Sequence, residues 1–533
     1  MHEIVTLQFG QQANYVGTHF WNTQESYFTY GQDEESPVDH DVHFRPGVGS
    51  DGTETYTPRT VIYDLKGAFG TLRQENALYQ LQSQEEAGQT GQWPGQAQVI
   101  QQPVIPQSDY QQRLNAGEEP PPLSISSVRY WSDYNRVFYH PRSIVQLHEF
   151  ELNSSLAPFE RWHTGEELFS NLDKEHDLLD KDLRPFLEEC DQLQGLQLLA
   201  STDDAWGGFA SSYLERLRDE LGKTSLWVWG LEDGQRKPRD RQLLSTTNVL
   251  YSISSLAASA SLYIPLTNAP TIPLYITSFL PSSKWHTSAL QLTALESITL
   301  PSRLRLDNSS RTTLTDIEAL LSNSGKRRMA HLSLTLSPSQ QITNGSTSQR
   351  SDARLPTTNG NLHHPDSSDD DPITLALDID MAPTPPSLGP PARGSSSHST
   401  LDQVFARHLS LRSTRPLYST LEIDDLNTQS RDRYSSFAAQ GTRVSIHQSS
   451  LLFPVLSSFP RIFEFAEGEA DKVAVESALT AGTKVGRDLR AWERVGRRVL
   501  GVEVREEMGE VLAGLAGEYE EGFEGGSGSE DDD

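Results

Sequence analysis

The hydrophobic pattern of the first 25 residues predicts a strand, a loop and a helix in quick succession. Ile4 to Phe9 form an apolar-rich run of strand length, Gly10 ends the run, and residues 11–14 predict a short polar loop. The apolar residues that then recur at helical spacing are Val16, Phe20 and Trp21. This order directs backbone N–H groups and a helix N-terminus toward an anion. Many α/β domains open this way without binding a ligand, so the order alone does not assign a site.

Three further stretches predict a parallel sheet. Thr60 to Leu65, Gly195 to Leu199 and Ser225 to Leu231 are apolar runs of strand length. Between the last two runs, a helix is predicted to end at Gly222, because glycine tolerates the left-handed cap conformation. The apolar positions of this helix are Phe209, Tyr213, Leu217 and Leu221. Strand, helix and strand in this order predict a β–α–β unit and an α/β fold.

Helical periodicity also marks the middle and the end of the chain. Residues 165–190 predict a helix that Pro185 interrupts. Residues 245–300 predict apolar strands alternating with proline-bearing turns, followed by a helix. The apolar positions of that helix are Ala289, Leu292, Leu295 and Ile298. The positions that predict amphipathic C-terminal helices packed on the core are Leu489, Trp492, Val495, Val499, Met508 and Leu515.

The length of 533 residues predicts two folded units, and composition marks the less regular segments. Two stretches lack periodicity and are too rich in polar residues, Pro and Gly to bury a core, so they predict flexible or disordered chain. The predicted segments are a first unit, 1–300, with a flexible insert, 80–122; the start of a second unit, 301–336; a disordered linker, 337–400; the rest of that unit with C-terminal helices, 401–517; and an acidic, solvated tail, 518–533.

The charge balance restricts the partners. The 533 residues include 44 basic and 73 acidic side chains, which gives a net charge of −29. Such a surface repels phosphate backbones and anionic lipids, so it disfavours direct nucleic-acid binding. We interpret the one tight basic cluster, Lys326–Arg328, as a solvated loop. The single cysteine, Cys190, excludes an internal disulfide and is predicted to be a buried structural thiol.

Targeting signals are absent from the sequence pattern. No apolar run reaches the length of a membrane span. Residues 1–44 contain no Lys or Arg, which fits neither a mitochondrial presequence nor a secretory signal. We therefore expect a cytosolic protein without membrane insertion, which would meet an organelle only from its outer face.

Aromatic and charged residues cluster between Trp131 and Arg142. Packing against the first unit is the favoured interpretation, and a surface for a partner is the alternative. A second apolar segment, Leu451 to Phe463, is broken by Pro454 and Pro460.

The N-terminal stretch resembles that of tubulin, in which a strand ending in Gln-x-Gly-Gln leads into a nucleotide-contacting loop and a helix carrying Phe-Trp. The matching residues are Glu3, Ile4, Val5, Gly10, Gln11, Asn14, Gly17, Phe20, Trp21, Pro58, Arg59, Asp64 and Leu65. Gln12 and Ala13 replace the family's Cys-Gly, and Lys66 replaces an acidic residue near the nucleotide's metal. The resemblance implies a tubulin/FtsZ-like parallel sheet flanked by helices, with a second α+β domain.

The same resemblance implies an altered nucleotide site. The residues that match the segment before tubulin's phosphate loop are Cys190, Asp191, Leu193, Gln194, Gly195 and Gln197. The glycine loop itself falls on residues 203–209, where Trp206 adds bulk and Asp203 and Asp204 would repel phosphate; a bridging cation would reverse that repulsion. We expect a narrowed or acidic pocket. The vestigial nucleotide-binding residues implied are Gly10, Gln11, Gln12, Asp64, Gly207 and Gly208.

The catalytic motif of tubulin-like GTPases has no counterpart. No Gly-x-x-Asn-x-Asp follows the central helix, which is predicted to end near residues 300–304, or occurs elsewhere. We therefore predict no catalytic residues, no enzymatic activity, no metal and no cofactor, and leave GTP open as a ligand. His363 and His364 lie in the predicted linker and are interpreted as solvated rather than metal-binding.

Four features together resemble the Misato family: the tubulin-like start, the altered phosphate loop, the Trp131–Arg142 cluster and the Phe453–Phe463 segment. The resemblance implies a non-enzymatic protein of mitochondrial distribution and mitochondrial DNA inheritance, located on the outer face of the mitochondrion and in the cytoplasm. It also implies protein partners, such as tubulin, the folding chaperones of tubulin or mitochondrial outer-surface proteins. The alternative is a GTP-binding, tubulin-like GTPase that acts in cytoskeletal or spindle organisation.

Overall fold

The structure is a computed structural model of the whole chain. It describes residues 3–29, 35–49, 52–74, 76, 78, 105–305, 311–322, 325–338, 375, 377–386, 402–414, 416–435, 442–463 and 472–520. His363 and His364, most of the predicted linker, most of the predicted insert and residues 521–533 of the tail lie outside the described residues.

The first unit contains a six-stranded sheet in which every pair of neighbours is parallel. Its strands, in spatial order, are β5 (Ile144–Glu151), β4 (Thr60–Lys66), β1 (Glu3–Phe9), β6 (Leu193–Ser201), β7 (Ser225–Glu232) and β8 (Leu262–Thr267). β1, β7 and β8 are buried along their whole length, as expected for strands covered by helices on both faces. The strand order reverses between β1 and β6, the position at which doubly wound sheets bind ligands.

Helices cover both faces of this sheet, and the predicted α/β architecture is confirmed. The helices of the first unit are α1 (Gly10–Glu25), α2 (Asp109–Asn115), α3 (Trp162–His176), α4 (Arg184–Glu188), α5 (Ala205–Leu221), α6 (Arg239–Ser259) and α7 (Lys284–Thr299). A two-stranded hairpin, β2 (Phe44–Val48) and β3 (Glu54–Pro58), lies beside them. Every residue of α7 except Lys284 is buried, because this central helix is enclosed by both units.

A second sheet is mainly antiparallel and stands on the other side of α7. Its strands are β9 (His331–Pro338), β10 (Ile379–Asp380), β11 (Val404–Arg412), β12 (Arg443–Ser449), β13 (Phe453–Pro454) and β14 (Lys472–Gly482). Its helices are α8 (Leu314–Leu321), α9 (Thr420–Ser435), α10 (Thr483–Val499) and α11 (Val502–Gly517). None of the helices in the described part of the chain has the length and apolar character needed to cross a bilayer.

Several local predictions are corrected. Residues 239–259, where strands were predicted from 245 onward, form α6, and residues 11–14 belong to α1 instead of a loop. The predicted insert contains α2, whose Tyr110 is buried, and the predicted linker contains β10, which pairs with β9. In each case tertiary packing supplies the order that the local sequence does not signal.

Two surface interpretations also change. In the basic cluster, Arg327 lies over the ring of Phe405 at 3.9 Å and donates to the carbonyl of Glu518 at 2.9 Å, so it is a packing residue rather than a solvated one. Tyr519, which falls in the predicted solvated tail, is buried. In contrast, the packing interpretation of the aromatic cluster is confirmed, since Trp131, Tyr134 and Tyr139 are buried.

Candidate functional site

A cavity of about 540 Å³ opens at the carboxyl ends of β1, β6, β7 and β8. Each of these strands is followed by residues that line it, which is the usual place for a ligand in an open parallel sheet. The charged and polar residues around it include Gln11, Gln12, Ser201, Asp203, Asp204, Asp233, Lys237, Arg241, Asn268 and Lys284. Trp206 and Phe159 supply apolar surface. The cavity therefore presents charges of both signs and is not an open, basic pocket.

Trp206 fills the space beside Gly10. Gly10 starts α1 with φ +83°, a conformation that favours glycine. A methyl group built on Gly10 would overlap the indole ring of Trp206. This ring is 4% exposed and packs edge-on against Phe159, with 5.2 Å between the ring centroids. Trp206 thus narrows the cleft where the tubulin resemblance places a phosphate loop.

Gln11 is turned toward a buried carboxylate. Its Nε2 donates to Asp64 Oδ2 at 2.6 Å, and Asn14 Nδ2 donates to the same oxygen at 2.7 Å. Burial raises the pKa of Asp64 to about 6, against the effect of these hydrogen bonds and of the backbone N–H of Leu65. Asp64 is completely buried. It holds the start of α1 against the end of β4.

Gln12, which replaces the family's cysteine, belongs to an amide cluster. Its Nε2 donates to Asn268 Oδ1 at 3.0 Å and to Gln291 Oε1 at 3.3 Å. Gln291 Nε2 donates to Asn268 Oδ1 at 2.9 Å. These three buried side chains join α1, the end of β8 and α7, so Gln12 supports the floor of the cavity and is only slightly exposed to it.

The two aspartates at the start of α5 have different surroundings. Asp204 caps the helix by accepting from the backbone N–H of Trp206 at 2.9 Å. Asp203 accepts from Lys237 Nζ at 2.7 Å and from Ser245 Oγ at 3.1 Å. Burial and the neighbouring Asp203 raise the pKa of Asp204 to about 7. Lys237 therefore balances one of the two negative charges that the sequence places here.

Gly207 and Gly208 lie away from the cavity. A methyl group on Gly207 would overlap Ser252 Oγ of α6, and one on Gly208 would overlap the backbone carbonyl of Trp162 at the start of α3. Both glycines thus allow α5 to approach its neighbouring helices closely. This placement corrects their assignment to the phosphate cradle: of the six predicted residues, Gln11 and Gln12 line the cavity.

Several residues of the cavity were missed by the sequence reasoning. Lys237 and Arg241 lie in a stretch without an apolar pattern, and Lys284 begins the central helix. The signal in the sequence was their position relative to the strands. Asp233 lies two residues after the end of the predicted strand 225–231, and polar residues that follow parallel strands meet at one sheet edge. Asn268 follows β8 in the same way.

The raised pKa of Asp204 leads to a testable pH dependence. The folded chain retains a proton that the unfolded chain releases between about pH 4 and about pH 7, so this group makes the free energy of unfolding fall as the pH rises. Asp204→Asn keeps a capping oxygen and removes the titration. We expect the stability of this variant, relative to the wild type, to increase between pH 4 and pH 7 in urea unfolding experiments.

The matched control is Asp219→Asn, an exposed position on the same helix. Its stability curve is expected to run parallel to that of the wild type over the same pH range. Equal pH slopes for Asp204→Asn and the wild type would contradict the buried, raised-pKa state of Asp204.

The parallel sheet, the central helix and the second sheet define a tubulin-like protein in which Trp206 narrows the cleft beside Gly10. Two family models match consecutive parts of the chain: the Misato Segment II tubulin-like domain at residues 2–116 and a tubulin domain at residues 120–304. Protein dml-1 of Neurospora crassa and protein DML1 of Phaeosphaeria nodorum are each 44% identical, over 100% of both chains. Protein dml1 of Schizosaccharomyces pombe is 36% identical over 61% of this chain and 70% of its own. The chain belongs to the Misato/DML1 family.

Proposed function

We propose that this chain is a non-enzymatic, tubulin-like binding platform that acts in the distribution of mitochondria and the inheritance of mitochondrial DNA. The organelle role rests on membership of the Misato/DML1 family. The observation that carries the non-enzymatic part is the Trp206 ring, which lies beside Gly10 where a nucleotide's phosphates would have to bind. The protein would act in the cytoplasm and on the outer face of the mitochondrion, through protein partners.

One observation favours a second candidate, a GTP-binding protein with an altered site. The cavity is still large, about 540 Å³, and Lys237, Arg241 and Lys284 line it. Lys237 is already paired with Asp203 and lies 3.2 Å from Asp233, so its charge is largely neutralised by carboxylates of the same chain. For this reason we prefer the non-enzymatic candidate.

A nucleotide titration distinguishes the two candidates. Purified full chain is titrated with fluorescently labelled GTP, with and without magnesium, and GTP hydrolysis is followed in parallel. We expect neither saturable binding at micromolar concentration nor turnover. Saturable binding that is lost in both Gln11→Ala and Arg241→Ala, with exposed Arg113→Ala as the matched control, would favour the GTP-binding candidate.

The organelle role is tested in the cells from which the chain comes. Depletion is expected to leave mitochondria and their DNA unevenly distributed between daughter cells, and re-expression of the wild type is expected to restore them. Affinity capture from the same cells tests for tubulin, its folding chaperones and outer-surface proteins. Normal mitochondrial distribution and normal DNA content after depletion would contradict the proposed function.

A further inference from the structure

Helix α10 concentrates positive charge in a strongly acidic chain. Its 17 residues include six basic and two acidic side chains, whereas the whole chain has a net charge of −29. Spacings of three and four residues place the basic side chains along one face of the helix. We call this face the arginine stripe; it consists of Lys484, Arg487, Arg490, Arg494, Arg497 and Arg498. The opposite face, with Leu489 and Trp492, is buried in the core.

The two halves of the arginine stripe differ in their partners. At the N-terminal half, Lys484 pairs with Asp380 and Arg487 pairs with Asp402. At the C-terminal half, the Arg497 side chain is 65% exposed and shares Glu493 with Arg490. Arg494 donates to the backbone carbonyl of Arg490 at 3.2 Å, and within the described ranges no carboxylate forms an ion pair with it. Positive charge is therefore in excess toward the C-terminal end of α10.

The last described residues, 518–520, lie beside this stripe. After a short connection, α11 returns the chain to the start of α10, where Tyr519 and Ala516 pack against Gly486. The Tyr519 hydroxyl bridges the backbone carbonyl and N–H of Met329, with 2.8 Å to each. These contacts fix the point from which residues 521–533 start.

The first carboxylate after this anchor already sits on the stripe. Glu520 Oε1 accepts from Arg490 Nε at 2.7 Å, and this hydrogen bond lowers the pKa of Glu520. The pair is half-exposed and therefore weak alone. The sequence beyond it contains six carboxylates and no basic residue: Glu521, Glu524, Glu530, Asp531, Asp532 and Asp533.

We propose that residues 521–533 dock along the C-terminal half of the arginine stripe, over Arg494, Arg497 and Arg498. The tail is long enough, because Arg490 and Arg498 are about 12 Å apart along the helix and thirteen residues span up to about 43 Å. A tethered segment has an effective concentration in the millimolar range, which favours it over untethered polyanions. Outside the stripe, the acidic surface of the protein repels nucleic acid and anionic membranes. The tail is held near the stripe in spite of this repulsion, because it is covalently attached. An acidic partner would have to displace the tail.

The test uses the full chain with a dye on the tail. Ser529→Cys is labelled in a Cys190→Ser background; Cys190 donates to the carbonyl of Phe186, and serine keeps this donor. We expect high dye anisotropy at about 50 mM salt and a fall toward the value of a mobile tail at about 500 mM, because salt screens the contacts. The charge-reversed variant Arg494→Glu/Arg497→Glu/Arg498→Glu is expected to show the low value at both salt concentrations.

The matched control reverses three exposed basic residues elsewhere, Arg113→Glu/Lys181→Glu/Lys223→Glu, and is expected to behave like the wild type. Far-ultraviolet circular dichroism and thermal unfolding check that both triple variants fold. In a second measurement, a chain ending at Glu520 is titrated with a labelled peptide of residues 521–533. We expect saturable, salt-sensitive binding that weakens at least tenfold in the stripe variant.

Three outcomes would overturn the proposal. The first is a low, salt-independent anisotropy in the wild type, and the second is an equal effect of the stripe and control variants. The third concerns phosphatidylcholine vesicles that contain cardiolipin. It is the result that the full chain and the chain ending at Glu520 bind these vesicles equally well and that both lose binding in the stripe variant. That result would make an anionic membrane, and not the tail, the occupant of the stripe.

Discussion

Glu296→Gln is expected to lower the free energy of unfolding by about 3–5 kcal/mol, because it leaves two buried guanidinium groups without a counter-charge. Glu296 accepts from Arg303 Nη2 at 2.8 Å and from the Tyr27 hydroxyl at 3.0 Å, and it also pairs with Arg412. The side chains of Glu296, Arg303 and Arg412 are fully buried. Urea unfolding followed by tryptophan fluorescence measures the effect.

The sign of the pH dependence follows from the same contacts. Burial alone would raise the pKa of Glu296, but Arg412 and Arg303 outweigh burial and hold it below its usual value. The group therefore stabilises the fold above the pKa of the unfolded state, about 4.3, and this contribution is lost as the pH falls through the lower folded pKa. We expect the stability difference between the wild type and Glu296→Gln to shrink below about pH 4.

Glu189→Gln is the matched control. It removes the same charge from the Arg45–Glu189 pair, in which the carboxylate side chain is 38% exposed. Because solvent already screens this pair, the expected loss is about 0.2–1 kcal/mol. Equal losses in the two variants would show that the Glu296 network is not the buried, dry arrangement described above.

This network joins the two units of the molecule. Tyr27 follows α1, Glu296 lies on α7, and Arg412 ends β11 of the second sheet. Arg412 also donates to the backbone carbonyls of Leu451 and Leu452, at 2.7 and 2.9 Å. These polar contacts therefore fix the position of the second sheet on the central helix. Apolar packing alone would be less specific, because it is less directional than hydrogen bonding.

The sequence predicted the elements whose signals are local. β6, α5 and β7 follow from an apolar run, a helical spacing that ends at Gly222 and a second apolar run. α6 was missed because its residues include many Ser, Thr, Val and Ile, which have modest helix propensity. Its helical form depends on packing against neighbouring helices, which no short window of sequence contains.

The same distinction separates the predicted and the missed parts of the site. The bulk of Trp206 and the charges of Asp203 and Asp204 were predicted from the alignment of the glycine loop with tubulin. The Lys237–Asp203 pair and the packing of Gly208 on Trp162 were not, because both join segments far apart in the chain. Which residue neutralises a predicted charge depends on the tertiary fold, and a single sequence does not contain that information locally.

The position of Trp206 beside Gly10 predicts strong thermodynamic coupling between them. Trp206→Ala alone is expected to cost about 3–5 kcal/mol of unfolding free energy, because it leaves a cavity among Phe159 and Phe209. Gly10→Ala alone adds a methyl group that overlaps the indole and strains the backbone at φ +83°. In the double variant the overlap is gone and the strain remains. We therefore expect the combined loss to be smaller than the sum by about 1–3 kcal/mol in urea unfolding.

Gly222→Ala provides the control for the strain. Gly222 ends the helix that carries Trp206, has φ +51°, and has open space where a methyl group would be added. Its substitution should therefore cost the same free energy in the wild type and in Trp206→Ala. Additive losses of unfolding free energy for Gly10→Ala and Trp206→Ala would mean that the indole does not contact Gly10. The main argument against a phosphate group in the cleft would then be lost. Coupling at Gly10 together with additivity at Gly222 would locate the Trp206 ring beside Gly10, in the cleft where the tubulin resemblance implies a nucleotide's phosphates.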